Sequence, residues 1–406
     1  MRLALVSNFF RPRTGGSAHF TEELAKELGR RGHDVLVVTS AVGQAPGESV
    51  EDGYGVLRLP AWTLPPLRIA FHYTLNVTCS PHNLRRLWRR LDELRPAVVH
   101  LQNQIFDLSL QAELWAIRRR VPVVATIHTA LVHSDRRLAA VLAAVDHTLV
   151  HALFRLSRAH VVAPDRFMDG YVRRRYRRPA RCISNIPIGV DVGRFAGDGG
   201  AHACDARARH GVGDRPLVLS VGHVIPMFRD RLALVEALPR LRQLVPDVVV
   251  LVVGQIYDHR FLARAEELGV RDAIVLAGDV PKHEIPAYVV AADVETHDLE
   301  GWGLGTASME VMAAGVPVVA SVRTDNFPGL ELRDRDSLVL VPRGDATALA
   351  DTLAALLADA ELRHEMGRRQ AAFARRHFSI GSVTDQYVAL YERLAAERPA
   401  FRASKE

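Results

Sequence analysis

The segment Glu300-Gly301-Trp302-Gly303-Leu304-Gly305-Thr306-Ala307-Ser308-Met309-Glu310 sets two acids around a glycine-rich turn and runs on into the apolar stretch Val311 to Val319. Read as a loop that feeds a helix and then a buried strand, it brings backbone N–H groups and the positive end of a helix to one place, where an anion can sit. Carboxylates beside that place accept hydrogen bonds from hydroxyl groups. The ligand that suits both features carries phosphate and sugar together, as a nucleotide sugar does. The plainer reading is an ordinary loop-to-helix connection capped by Thr306, and a lone Gly-x-Gly would not overrule it. The rest of the chain decides between them.

The elements that must position this segment alternate in type. A first strand in residues 1–7 is followed by a helix that Ser17 is expected to cap, with Phe20, Leu24 and Leu28 every four positions and a stop at Gly32. A strand over 34–40 comes next. The alternation repeats with a helix over 84–94, a strand at 98–101, a helix around Leu110, Leu114 and Ile117, and a strand over 121–126. Residues 177–214 carry proline, glycine and charge with little periodicity and read as a domain boundary. Beyond it, strands are expected over 217–221, 248–253, 273–277, 294–297 and 316–320, and helices over 232–241, 261–268 and 284–291. Three further helices close the chain over 346–357, 360–375 and 381–395. Apolar strands alternating with amphipathic helices predict an α/β protein with two doubly wound parallel sheets, whose ligand crevices open at the carboxyl ends of the strands.

Composition narrows the class. The 406 residues suggest two domains, and 48% hydrophobic content lets each bury a core. A net charge of +6, with arginine clusters in the first half, suits a polyanionic partner such as a nucleotide diphosphate or anionic lipid. Nucleic acid is disfavoured, since no zinc-finger, homeodomain or RNA-binding signature accompanies the charge. Cys79, Cys182 and Cys204 are too few and too scattered for a disulfide framework or structural zinc, which points to a cytoplasmic location. The amino terminus reads as a buried strand, not a signal peptide. The apolar stretch from Leu138 to Phe154 is interrupted by Asp146, His147 and His151 and is expected not to span a bilayer. His147 and His151, four apart on an expected helix, lack the glutamate of a zinc protease, and no Gly-x-Gly-x-x-Gly of a nicotinamide dehydrogenase follows a strand.

The motifs Gly15-Gly16, Gly32-His33-Asp34-Val35, Thr126-Ile127-His128, residues 186–195, Ser220-Val221-Gly222-His223, the 300–317 block, residues 341–345 and Leu390-Tyr391-Glu392 occur in an order that resembles the retaining, nucleotide-sugar-dependent glycosyltransferases of family 4. The resemblance implies the GT-B arrangement, two Rossmann-like domains with parallel sheets facing each other across a deep cleft. Boundaries are expected at 1–182 for an acceptor-side domain and 183–380 for a donor-side domain, with a helix in 381–406 packing back toward the first domain. It implies that Glu310 accepts hydrogen bonds from the donor ribose, that amides of Gly303, Leu304, Gly305 and Thr306 hold diphosphate and sugar, and that His128 lies beside the sugar near the reacting carbon. Gly15, Gly16, Gly222, His223, Arg229 and Arg231 complete the expected donor-binding set, and His128, Glu300 and Arg229 the expected catalytic set.

Two departures from the family pattern bear on these roles. The family places seven residues between its paired acids, whereas nine separate Glu300 from Glu310 and Trp302 stands at the family's first-acid position. Either the loop is two residues longer and Glu300 still reaches the sugar, or Asp298 takes its part. The family's phosphate-binding arginine and lysine fall on His223 and Arg229, and His223 carries charge only when protonated. The activity implied is transfer of a hexose from a UDP- or GDP-linked donor to an acceptor hydroxyl, with no metal or other cofactor. A sugar-nucleotide epimerase and a catalytically inactive nucleotide-sugar-binding protein are the rival readings. The acceptor is either a soluble small molecule or glycan or a membrane lipid, and the arginine-rich 84–94 helix offers a possible peripheral contact at the inner membrane face.

Overall fold

Strand β1 (Arg2–Val6) sends Leu3 and Leu5 to one face of its sheet and Ala4 and Val6 to the other, and all four are buried. This is the period-two pattern of a strand covered on both sides. The structure, a computed structural model, describes residues 1–12, 15–64, 76–131, 135–195, 205–226, 229–296 and 298–397. It divides into two units, Met1–Gly189 with Ile380–Glu406, and Val190–Ser379. Cys204 and the expected strand end at His297 lie outside the described residues.

In the first unit, β1 is joined by β2 (Asp34–Ala41), β3 (Gly47–Glu51), β4 (Tyr54–Pro60), β7 (Val98–Gln102), β8 (Val123–Thr126), β9 (His160–Ala163) and β10 (Ile183–Asn185), while β5 (Trp62–Thr63) and β6 (Asn76–Val77) form a separate two-stranded ribbon. The sheet order is β10-β9-β8-β7-β1-β2-β4-β3, parallel throughout except for the antiparallel β3–β4 edge. Helices Pro81–Leu94 and Asp107–Arg119 pack Leu87, Leu91, Leu108 and Trp115 on one face. Helix Gly16–Arg30 packs Phe20, Leu24 and Leu28 on the other, and helix Ile380–Glu397 lays Val383, Tyr387, Leu390 and Tyr391 beside them. The division at Gly189 falls later than the expected 182 because β10 hydrogen-bonds to β9 and so belongs to the first sheet.

The second unit holds the parallel order β13-β12-β11-β14, from β11 (Leu217–Val221), β12 (Val249–Val253), β13 (Ile274–Gly278) and β14 (Val294–Glu295). Strands β15 (Val319–Ala320) and β16 (Val339–Leu340) pair separately, and Glu295 N donates to the Pro317 carbonyl at 2.9 Å. The expected strand over 316–320 shrinks to two residues through one local and one distant cause. Pro317 has no N–H to donate, and the Gln370 side chain takes the Val318 N–H at 2.8 Å, while the Val318 carbonyl is shared between Gln370 Nε2 and the Val339 amide, each at 3.2 Å.

Other expectations shift slightly. Gly15, not Ser17, caps the first helix, with no side-chain bond, and the Ser17 carbonyl instead accepts from Thr21 Oγ1 at 2.7 Å. Leu114, expected on a buried face, is 46% exposed. The helix Arg166–Tyr176 and the hairpin β3–β4 are additions, and the helix expected at His147 and His151 extends from Arg136 to Ser157. The helix that carries the loop of interest, Thr306–Ala313, is set by helix Ala360–His377, where Gly367 lets the Gly315 carbonyl approach so closely that any Cβ would collide with it. Gly367→Ala should therefore cost about 1–3 kcal/mol of stability by overpacking, read as a lowered urea midpoint. An unchanged midpoint would show that the two helices separate without penalty.

Candidate active site

Both halves of the site in the second unit come from the carboxyl ends of neighbouring parallel strands. The turn after β11 supplies Gly222 to Arg231, and the turn after β14 supplies Asp298 to Gly305. Five glycines are required by close approach or conformation: Gly254, where a Cβ would meet the Gly222 carbonyl at 2.5 Å, Gly305, where it would collide with the Arg229 guanidinium, and Gly222, Gly301 and Gly303, whose φ values are 131°, 77° and 138°.

Asp298, 4% exposed, ties the two turns together. Arg229 Nε donates to its Oδ1 at 3.0 Å, and its Oδ2 accepts from the Gly305 amide at 2.5 Å and from Ser308 Oγ at 2.9 Å. Gly305, not Thr306, is the cap of helix Thr306–Ala313 and has no side-chain capping bond of its own. The remote Asp298 carboxylate does that work, and the amides of the helix's first turn lack intrahelical acceptors. Burial disfavours the Arg229 charge, but Asp298, with Glu300 and Glu295 further away, outweighs it and raises its pKa above the ordinary guanidinium value.

Arg231 and Gly222 sit behind this pair. Arg231 is 1% exposed and donates to the carbonyls of Arg229 at 3.0 Å and Gly222 at 2.9 Å. Burial and the neighbouring Arg229 lower its pKa to about 10. The Gly222 amide donates to the Val253 carbonyl at 2.8 Å, so both its backbone groups are engaged in holding the turn. His223 Nδ1 accepts from the Gln255 amide at 3.1 Å, which leaves the proton on Nε2. Burial lowers its pKa, Asp279 partly opposes this, and Arg229 and Arg231 add to it, so His223 is neutral at pH 7 and offers a donor, not a cation.

Leu304 is buried, while Trp302 is 39% exposed. Glu310 lies on the helix with its Oε1 4.0 Å from Arg194, a neighbour that linear spacing could not single out. Asn326 is a second such residue, its Oδ1 3.0 Å from where a Cβ on Gly303 would stand. In the first unit, Gly15 has φ 144° and open space where a Cβ would lie, and Gly16 opens the helix Gly16–Arg30. Phe20 on that helix has its ring 5.6 Å from the His128 ring. His128 is fixed by two residues the sequence did not flag: its amide donates to Asn103 Oδ1 at 2.9 Å, and its Nε2 lies 2.7 Å from Gln102 Oε1. Burial lowers its pKa to about 4, which makes the ring neutral. Among the described residues no three His, Cys, Asp or Glu side chains gather as a metal cage would require.

Glu300 differs from every other acid here. Its Oε1 is buried with no hydrogen-bond partner among the described residues. Burial pushes its pKa up to about 7, Arg231 opposes that rise, and Asp230 and Asp298 add to it. The folded chain thus holds a proton that the unfolded chain releases above its ordinary value of 4.5. The resulting stability is fully present below that value and is lost as pH rises through about 7. Glu300→Gln should flatten the decline of the melting temperature across that window, and a slope identical to the parent's would show that the carboxyl is already ionised at its lower end.

With this geometry in place, comparison with known proteins is direct. Residues 14–194 match the family described as Glycosyltransferase Family 4, and residues 205–373 match Glycosyl transferases group 1. A D-inositol 3-phosphate glycosyltransferase of Xylanimonas cellulosilytica is 30% identical over 414 residues, covering 95% of this chain and 93% of its own. A GDP-mannose-dependent alpha-(1-6)-phosphatidylinositol monomannoside mannosyltransferase of Mycolicibacterium smegmatis is 29% identical over 394 residues, covering 93% and 94%. Anabaena HepE, crystallised with UDP and glucose, matches in fold with a TM-score of 0.72 at 17% identity over 97% of this chain and 99% of that one. WaaG, a glycosyltransferase involved in lipopolysaccharide biosynthesis, does so with a TM-score of 0.64 at 17% identity, over 96% and 99%. The chain belongs to the family 4 glycosyltransferases and has their GT-B fold.

Proposed function

We propose that this glycosyltransferase moves a hexose from a nucleoside-diphosphate sugar to an acceptor hydroxyl with retention of anomeric configuration and without a metal ion. One observation carries the reading: Arg229, the 303–305 turn and the start of helix Thr306–Ala313 converge beside a buried carboxyl, Glu300, that has an oxygen to spare. The name of the Mycolicibacterium relative favours GDP-mannose as donor, and the inositol in the names of both relatives favours an inositol-bearing acceptor, lipid or phosphate. Both are named as transferases, so an epimerase or a non-catalytic binding protein draws no support from them.

The chemistry follows from charge. As the anomeric C–O bond breaks, the leaving diphosphate gathers negative charge, which Arg229 and the first-turn amides meet. Asp298 fixes that guanidinium by its Nε, so the remaining donors of the fork are pre-aimed. The departing phosphate oxygen takes the proton of the attacking hydroxyl on the same face, which retains the configuration. Glu310 accepts from the ribose hydroxyls. For the first acid, Asp298 has both oxygens engaged within the protein, whereas Glu300 Oε1, buried and without a hydrogen-bond partner among the described residues, is the acid oxygen left to pair with a sugar hydroxyl. His223 donates through Nε2 as a neutral ring, and we assign His128 the family's place beside the sugar.

Thermal stabilisation by GDP-mannose and UDP-glucose, followed by transfer to phosphatidylinositol or inositol phosphate and anomeric analysis of the product, tests the proposal; an inverted product would sink it. Glu310→Ala should weaken donor binding by roughly 1–3 kcal/mol, and calorimetry showing parent affinity would remove Glu310 from the site. Arg229→Ala should lower turnover by about a hundredfold, with the melting temperature measured alongside because the change strands Asp298. A variant that differs only in its Michaelis constant would make Arg229 a binding group alone. Turnover should survive EDTA. Loss on chelation with recovery on adding Mn²⁺ would contradict the metal-free assignment.

A further inference from the structure

Residues 136–157 form one helical rod, α-helix over Arg136–Val145, a π turn over Asp146–Val150 and α-helix again over His151–Ser157. Its inward side is short of apolar contact: none of residues 136–145 is buried, and the rod is held by Asp146, Val150, Leu153, Phe154 and Ser157. Its outward side carries Val141 (58% exposed), Val145 (36%), Leu149 (47%) and Leu156 (68%). These recur at spacings of four, four and seven, which aligns them along one face for about 22 Å. Nine large hydrophobic residues are markedly exposed among the described residues, and four of them are these. Scattered exposure would mean little, but a stripe marks a contact surface.

Charge selects the occupant. Arg136, Arg137, Arg155 and Arg158 are exposed along the same rod. The arginine run 173–178 lies against it, with the Arg175 carbonyl 3.1 Å from His147 Nδ1. The rod's single acid, Asp146, is fully buried, faces Arg175 Nε at 3.3 Å, and accepts hydrogen bonds from the hydroxyls of Tyr171 and Tyr176. By length and composition this helix could cross a bilayer, contrary to the expectation for residues 138–154. Its buried anchor points fix it along the domain surface instead. The 84–94 segment, by contrast, turns Leu87, Leu91 and Leu94 into the core and shows solvent mainly charge.

We infer that the 136–157 helix is the face by which the protein lies on an anionic membrane, with Val141, Val145, Leu149 and Leu156 entering the acyl boundary and the arginines meeting lipid phosphates. This goes beyond the proposed transfer reaction and holds whichever sugar or acceptor is used. The test is flotation with phosphatidylcholine vesicles containing about 30% phosphatidylglycerol, against phosphatidylcholine alone. The parent should float only with the anionic vesicles, and Leu149→Ser/Leu156→Ser and Arg136→Glu/Arg137→Glu should each lower partitioning at least about tenfold. Stabilisation by the donor nucleotide, unchanged in these variants, separates failure of this inference from failure of the site assignment. The inference is overturned if the parent ignores anionic vesicles or if Leu149→Ser/Leu156→Ser floats like the parent. It is equally overturned if Arg85→Glu/Arg89→Glu alone abolishes binding, or if the leucine changes dissolve a dimer and leave flotation intact.

Discussion

Asp298 is a buried anion with a guanidinium, a helix-start amide and a hydroxyl around it, the guanidinium reaching in from the turn after β11 and the amide and hydroxyl from the start of helix Thr306–Ala313. Its carboxylate fixes where Arg229 points, where the helix Thr306–Ala313 begins and how the turn between Gly301 and Gly305 is threaded. Asp298 is buried while the Arg229 side chain is 35% exposed, so removing Arg229 leaves a buried carboxylate without its counter-ion, whereas removing Asp298 leaves a guanidinium that solvent can still reach. The pair is thus stable only when both turns are in place, and that requirement keeps the donor-side loops in one arrangement before any ligand arrives.

A consequence is a division of labour between the acids of the site. Asp298 is committed to the protein, whereas Glu300, two residues on, is buried without commitment and holds its proton up to about 7. The same contrast appears among the bases. Arg229 keeps its charge because Asp298 supports it, and Arg231 and His223 are disfavoured as cations partly because Arg229 already occupies the neighbourhood. Charge is concentrated on one guanidinium by the cost of placing a second beside it.

The alternation of strands and helices was legible because its periodicity is local: β1, β2, β11 and β12 and the helices that follow them carry their pattern within a dozen residues. What escaped was set by distant partners. The strand over 316–320 lost residues to Gln370, and β10 joined the first sheet by pairing with β9. Residues 136–157 showed a helix only around His147 and His151, and its extent was hidden because its apolar residues face outward as well as inward. Within the site, the glycine turn and the acids at 300 and 310 could be read directly. The bond between Arg229 and Asp298 spans 69 positions and leaves no trace in spacing. Gln102 and Asn103, which hold His128, and Arg194, which faces Glu310, are invisible for the same reason.

Helix Ile380–Glu397 completes the core of the first unit: Tyr391 OH lies 2.7 Å from His100 Nδ1, Tyr387 OH lies 2.9 Å from Thr126 Oγ1, and Arg31 donates to Asp385 at 2.5 Å. The first unit is therefore discontinuous in sequence, with all of Val190–Ser379 inserted between its sheet and this helix. On the ribosome, the sheet of the first unit must wait with Phe20, Leu24 and Leu28 incompletely covered while some 190 further residues are made. The inserted unit, continuous in sequence, has its whole core available first. Chain order and folding order are thus reversed, and the earliest-made half of the enzyme is the one with the longest exposure to chaperones.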